Sequence, residues 1–142
     1  MTAATRYLLD TNVVSELVKP RAVRNPGVAA RVTEEADGLV TCAPVWHELE
    51  YGCRRLAPGR KRKAIESALA RLQASLVILP YDARAARWHA AERARLVANG
   101  RTPPFVDGQI AAVAVVHDLV VVTRNGADYA GFDSLRVESW HA

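Results

Sequence analysis

Two cysteines in 142 residues, Cys42 and Cys53, are too few for a disulfide framework, and nothing else points to secretion. They are expected to be reduced, small residues of a core or an interface. Long apolar runs are missing as well: the longest fall well short of a bilayer span, and the first residues hold no basic region followed by an apolar core and a small-residue cleavage site. The expectation is a cytoplasmic protein with no membrane partner. Internal repeats, low-complexity segments and interdomain linkers are also lacking. The turn-rich separators "KPRAVRNP", "APGR", "NGRTPP" and "RNGADYAGFD" are all too short to join independent domains. One domain, 1–142, is therefore expected.

What is present is an ordinary globular composition, half hydrophobic, with 19 Lys and Arg against 15 Asp and Glu. The resulting charge of +4 biases the chain towards polyanions without identifying one. Six basic residues crowd "RRLAPGRKRK" (Arg54, Arg55, Arg60, Lys61, Arg62, Lys63), and Arg84, Arg87, Arg93 and Arg95 stud a later helix. Either set reads as a solvated helix face or, more sharply, as a contact for a phosphate backbone.

Short apolar runs at 6–10, 39–42, 76–80 and 119–123, and a weaker one at 135–139, read as strands covered on both faces, the pattern of a parallel sheet. Helical periodicity and caps predict helices over roughly 12–18, 26–36, 44–56, 60–74, 82–100 and 107–118. Strands alternating with helices imply an α/β/α sandwich around a mostly parallel sheet of four or five strands, in which ligands bind outside the carboxyl ends of the strands.

Asp10 ends the first strand at that edge. Glu48, Asp107 and Asn125, the last with Asp128 close behind, fall at equivalent places. Each has a duller reading: Asp10, Asn12 or Asp107 as a helix cap, Glu48 as a residue favouring a helix start, Asn125-Gly126 as a turn. Glu48 resists this, because Val45, Trp46 and Leu49 suggest a packed helix where an acid needs a partner. Gathered carboxylates about 5 Å apart repel by roughly 3 kcal/mol per pair at an effective dielectric of about 20. A dication reverses that sign, and hard oxygen donors without a His or Cys cluster suit Mg²⁺ or Mn²⁺ and phosphodiester cleavage.

The ordered segments "LLDTNVVSEL", "HELEYG", "DGQIAAVA" and "VVTRNGADYAGF" resemble the PIN domain, specifically the VapC-type toxins of type II toxin–antitoxin pairs and their FitB-like relatives. The resemblance spans nearly the whole chain. It implies a Mg²⁺- or Mn²⁺-dependent endoribonuclease acting on single-stranded or structured RNA (tRNA, rRNA or mRNA). By matching motif, Asp10 and Asp107 would be the principal metal ligands and Glu48 the third acid. Asn125 stands where the family carries Asp, Asn or Ser, as a water or outer partner, and Asp128 is the nearest substitute should a fourth acid be needed. Asn12 and Thr123 would hydrogen-bond those carboxylates or the metal's waters. A cognate antitoxin would lie in an apolar groove near the site, with Val13, Val14, Leu17, Trp46, Leu49 and Tyr51 as candidate lining, although general helix patterning assigns at least half of them to the core. A homodimer, a higher assembly with antitoxin, and contact with operator DNA only through the antitoxin are further implications.

Other motifs do not hold. "HELEY" has Tyr51 where a zincin needs its second histidine; His47, His89, His117 and His141 have no ligand-spaced partners; "ANGRTPPF" lacks the Gly-Lys-Ser/Thr ending of a phosphate loop. Asn12 stands where a haloacid-dehalogenase-like phosphatase needs a second Asp, and the acidic pair and late lysine of a response-regulator receiver are missing. The competing class is a catalytically weak PIN-like module that dimerises a DNA-binding antitoxin. Trp46, Trp88 and Phe105 are candidate stacking residues for RNA bases, and Trp140 is a candidate for closing the C-terminal edge instead.

Overall fold

The computed structural model describes residues 6–142. Five short strands, β1 (Tyr7–Leu9), β2 (Leu39–Cys42), β3 (Val77–Leu79), β4 (Val120–Val122) and β5 (Arg136–Glu138), form one sheet in the order β3-β2-β1-β4-β5. Every pairing is parallel, with Leu8 opposite Val40 on one side and Val121 on the other. Leu8, Leu9, Val121 and Val122 are fully buried, as strands covered on both faces must be. The weakest strand candidate, 135–139, is therefore a true edge strand.

Six helices complete the α/β/α sandwich: α1 (Thr11–Val18), α2 (Pro26–Glu34), α3 (Ala43–Arg54), α4 (Arg60–Ser75), α5 (Ala83–Ala98) and α6 (Phe105–Val116). Their starts follow local chemistry. Asn25 accepts from the amides of Gly27 and Val28 ahead of a proline at the first helical position, and Asp82 accepts from Ala85. Helix α6 is apolar from Ile110 onwards, with Ile110, Ala111, Ala112, Val113 and Ala114 fully buried, so that part runs through the core rather than along it. At the far edge Trp140 is buried against Tyr7, ring centroids 5.0 Å apart, under the Arg31 guanidinium.

One helix start differs from expectation. Residue 107 does not open α6; the helix begins at Phe105, because Pro104 holds an extended backbone and its carbonyl accepts the Gly108 N–H. Asp107 lies inside the first turn, where its carboxylate faces a favourable helix dipole but caps nothing.

The sheet order reverses between β1 and β4: from β1 the chain moves outwards to β2 and β3, then returns to the other side of β1. This switch point opens a crevice at the carboxyl ends of those two strands.

Candidate active site

Asp10 stands at the mouth of that crevice. Its N–H bonds the Val122 carbonyl, continuing the β1–β4 ladder, and its carboxylate caps α1 through Thr11 N–H to Oδ1 at 2.7 Å. The capping role and the site position are thus held by one residue. Its other oxygen, Oδ2, accepts from Thr123 Oγ1 at 2.8 Å and from the Tyr129 hydroxyl at 3.0 Å. Thr123 is held in turn by Asn12 Nδ2 at 3.2 Å and the Asn125 N–H at 3.1 Å.

Asp107 comes to the same place from α6, its Oδ1 lying 3.4 Å from the Tyr129 hydroxyl. Burial raises its pKa from 3.8 to about 6, helped by the negative charges of Asp10, Asp128 and Glu48 and opposed by the Tyr129 hydrogen bond. Glu48 projects from the exposed side of α3, where the Thr11 hydroxyl donates to its Oε1 at 2.8 Å. One electrostatic field therefore joins Asp10, Glu48, Asp107 and Asp128. It also reaches Cys42, whose thiol is pushed up to about 12, first by burial and then by Asp10 and Glu48.

Asn125 enters this network through its backbone: its N–H reaches Thr123, while among the described residues its side chain has no hydrogen bond to the acids. Charge at that end of the site comes from exposed Asp128, which acts on Asp107.

Three further residues, which the sequence does not mark as parts of the pit, shape it. Tyr129, 2% exposed, arrives in the short 3-10 turn Gly126–Tyr129 after β4 and touches both buried Asp10 and half-buried Asp107. Its signal is a hydroxylated aromatic in a turn at the carboxyl edge. Thr11 has the weaker signal of polarity at the helix start. His89, buried on α5 with Nδ1 2.9 Å from the Tyr81 hydroxyl, presses its ring on Gly108, where a Cβ would fall 2.3 Å from Nε2. That contact explains a glycine directly after Asp107.

The donor set is suited to a hard dication. No three His, Cys, Asp or Glu among the described residues close around an ion by themselves. An open group of carboxylates is what Mg²⁺ uses, since it keeps several waters and takes one or two protein oxygens directly.

A groove of about 880 Å³ runs from Thr11 and Glu48 between α1, α3 and α4, with Leu49, Ile65 and Leu69 among its apolar lining and Lys19, Arg21, Lys61 and Arg71 among its cations. Of the six apolar candidates for such a groove, only Leu49 lines it. Val13, Val14, Leu17 and Trp46 are core residues, because α1 and α3 turn those faces inwards, and Tyr51 is 58% exposed outside it. Among the stacking candidates Trp46 is buried and bonded to Glu50, Trp88 packs on Phe132, and Phe105 alone is widely exposed, at 50%. Among the described residues no helix is long and apolar enough to cross a membrane.

The model of the PIN domain matches residues 7–133. The toxin FitB of Neisseria gonorrhoeae is 31% identical over 145 residues, 94% of this chain and 98% of that protein. The tRNA(fMet)-specific endonuclease VapC of Salmonella typhimurium is 30% identical over 138 residues, 95% and 98% of the two chains. Among solved structures, FitAB bound to an IR36 DNA fragment superposes with a TM-score of 0.82 at 29% identity, covering 96% of each chain.

Proposed function

Because the chain belongs to the PIN domain family, we propose that it is a divalent-cation-dependent endoribonuclease, the toxin of a toxin–antitoxin pair. The observation that carries this reading is the meeting of Asp10 and Asp107 on one hydroxyl, within the field of Glu48 and Asp128. Mg²⁺ or Mn²⁺ held by Asp10 and Asp107, with Glu48 as the third acid, would supply activation of the attacking water and neutralisation of phosphate charge.

The protein's own side chains do the rest. Thr11 N–H, Thr123 and Tyr129 fix the Asp10 carboxylate, so it spends no entropy finding its orientation. Asp107, with a pKa of about 6, is ionised at neutral pH yet close to the pH at which it takes up a proton. Glu48 is tethered at Oε1 by Thr11, leaving Oε2 to accept a proton from water at the exposed rim. Helix α4 starts with Arg60, Lys61, Arg62 and Lys63, cations at the positive end of a helix dipole. Each is disfavoured there by about 0.3–1 kcal/mol, and among the described residues only Arg62 has a carboxylate partner, Glu66. Binding to an RNA backbone offsets that cost.

The groove beside Glu48 is the place for the antitoxin: an apolar floor for an amphipathic segment, ending at Glu48, one of the acids it must mask. The likeness to FitAB on DNA supports a second role in operator binding through the antitoxin, compatible with catalysis. The test is cleavage of RNA by the purified chain with Mn²⁺. Asp10→Asn or Asp107→Asn should lower the rate by at least about 100-fold. Undiminished cleavage by either folded variant contradicts the assignment.

A further inference from the structure

We propose that Tyr129 is a positioning residue that confines Asp10 to a single metal-binding oxygen and thereby biases the site towards Mg²⁺ and Mn²⁺ over Ca²⁺. The inference rests on the reading that Asp10 and Asp107 hold a dication.

It follows from counting lone pairs. A carboxylate oxygen has two acceptor positions. On Asp10, Oδ2 receives both Thr123 Oγ1 and the Tyr129 hydroxyl, while among the described residues Oδ1 receives only the Thr11 N–H. The Thr123 proton goes to Asp10, because the other two partners of its hydroxyl, Asn12 Nδ2 and the Asn125 N–H, are both donors. The Tyr129 proton has two acceptors, Asp10 at 3.0 Å and Asp107 at 3.4 Å, and the nearer is Asp10. Oδ2 is therefore saturated and only Oδ1 has a position to offer. Mg²⁺ works with single carboxylate oxygens in an octahedron completed by water, whereas Ca²⁺ takes more ligands and often binds a carboxylate through both oxygens. A saturated Oδ2 denies Ca²⁺ that second oxygen.

Tyr129→Phe keeps the buried ring, which packs near Phe132, and frees one position on Oδ2. The experiment titrates Mn²⁺ into the purified full chain by electron paramagnetic resonance of free Mn²⁺, then displaces it with Ca²⁺. In Tyr129→Phe, Ca²⁺ should gain on Mn²⁺ by about tenfold in relative affinity. Thr123→Val frees the other position on the same oxygen and should shift the ratio the same way, so the result does not depend on one variant folding. An unchanged ratio in folded Tyr129→Phe, with Mn²⁺ binding still abolished in Asp107→Asn, overturns the role of Tyr129 alone. Wild-type Mn²⁺ affinity in Asp107→Asn removes the metal site itself, and this proposal with it.

Discussion

The Thr11 hydroxyl donates to Glu48 Oε1 at 2.8 Å, tying the first turn of α1 to the exposed face of α3. Thr11 is also the residue whose N–H holds Asp10. Two acids from different βα units are thus set by one residue. Thr11→Val keeps the backbone bond and removes the hydroxyl, which releases Glu48. Cleavage should fall by about tenfold, and Thr11→Ser should restore it. Equal rates in the Val and Ser variants, measured under single-turnover conditions, would show that Glu48 needs no tether.

Gly108 carries a packing prediction. A Cβ there falls 2.3 Å from His89 Nε2 and 2.7 Å from Cδ2, in a ring already held by Tyr81 and Phe105. Gly108→Ala should cost about 1–3 kcal/mol in chemical denaturation, with α6 displaced next to Asp107. His89→Ala in the same chain should recover part of that stability. A double variant no more stable than Gly108→Ala would place the strain elsewhere.

Asp107 makes the metal-free protein sensitive to pH in a defined direction. Its folded pKa, about 6, lies above its ordinary 3.8, so the folded state binds the proton more tightly. The contribution to stability is present below about pH 4 and is lost as pH rises to about 6. His89, lowered by burial and by Arg93, acts the opposite way, losing stability as pH falls below 6.5. The difference between wild type and Asp107→Asn isolates the acid: the variant should gain relative stability between pH 4 and 6 in thermal melts without metal. A pH-independent difference would mean that neither burial nor the neighbouring acids hold the Asp107 pKa above its ordinary value.

Much of this arrangement is legible in the sequence, and what is not has a common cause. β1, β2 and β4 announce themselves as short apolar runs because a parallel sheet buries both faces, and Asp10 stands out as the residue where such a run stops. Asn25 with the proline after it, and Asp82, mark helix starts through local backbone chemistry. Tyr129 is different. Its reach to Asp10 spans 119 residues of sequence and depends on a 3-10 turn with no periodicity of its own. The groove is hidden for a related reason: Val13, Val14 and Trp46 have the right polarity for it, and only packing decides that they face the core while Leu49, Ile65 and Leu69 line the opening.

The basic start of α4 should reveal its role through salt. Replacing Arg60, Lys61 and Lys63 with Gln should weaken RNA binding regardless of sequence and reduce the slope of log affinity against log salt by about 0.7 for each phosphate no longer neutralised. The Gln variants should also be slightly more stable, since the helix dipole no longer opposes the cations. An unchanged salt slope would make this run a solvated face.

Anomalous scattering from crystals soaked in Mn²⁺ tests the site most directly. The expected result is a peak about 2.0–2.2 Å from a carboxylate oxygen of Asp10, on Oδ1, and from one of Asp107, which disappears in Asp107→Asn. Mn²⁺ found only at surface carboxylates away from Asp10 and Asp107 would contradict the metal centre and the nuclease mechanism built on it.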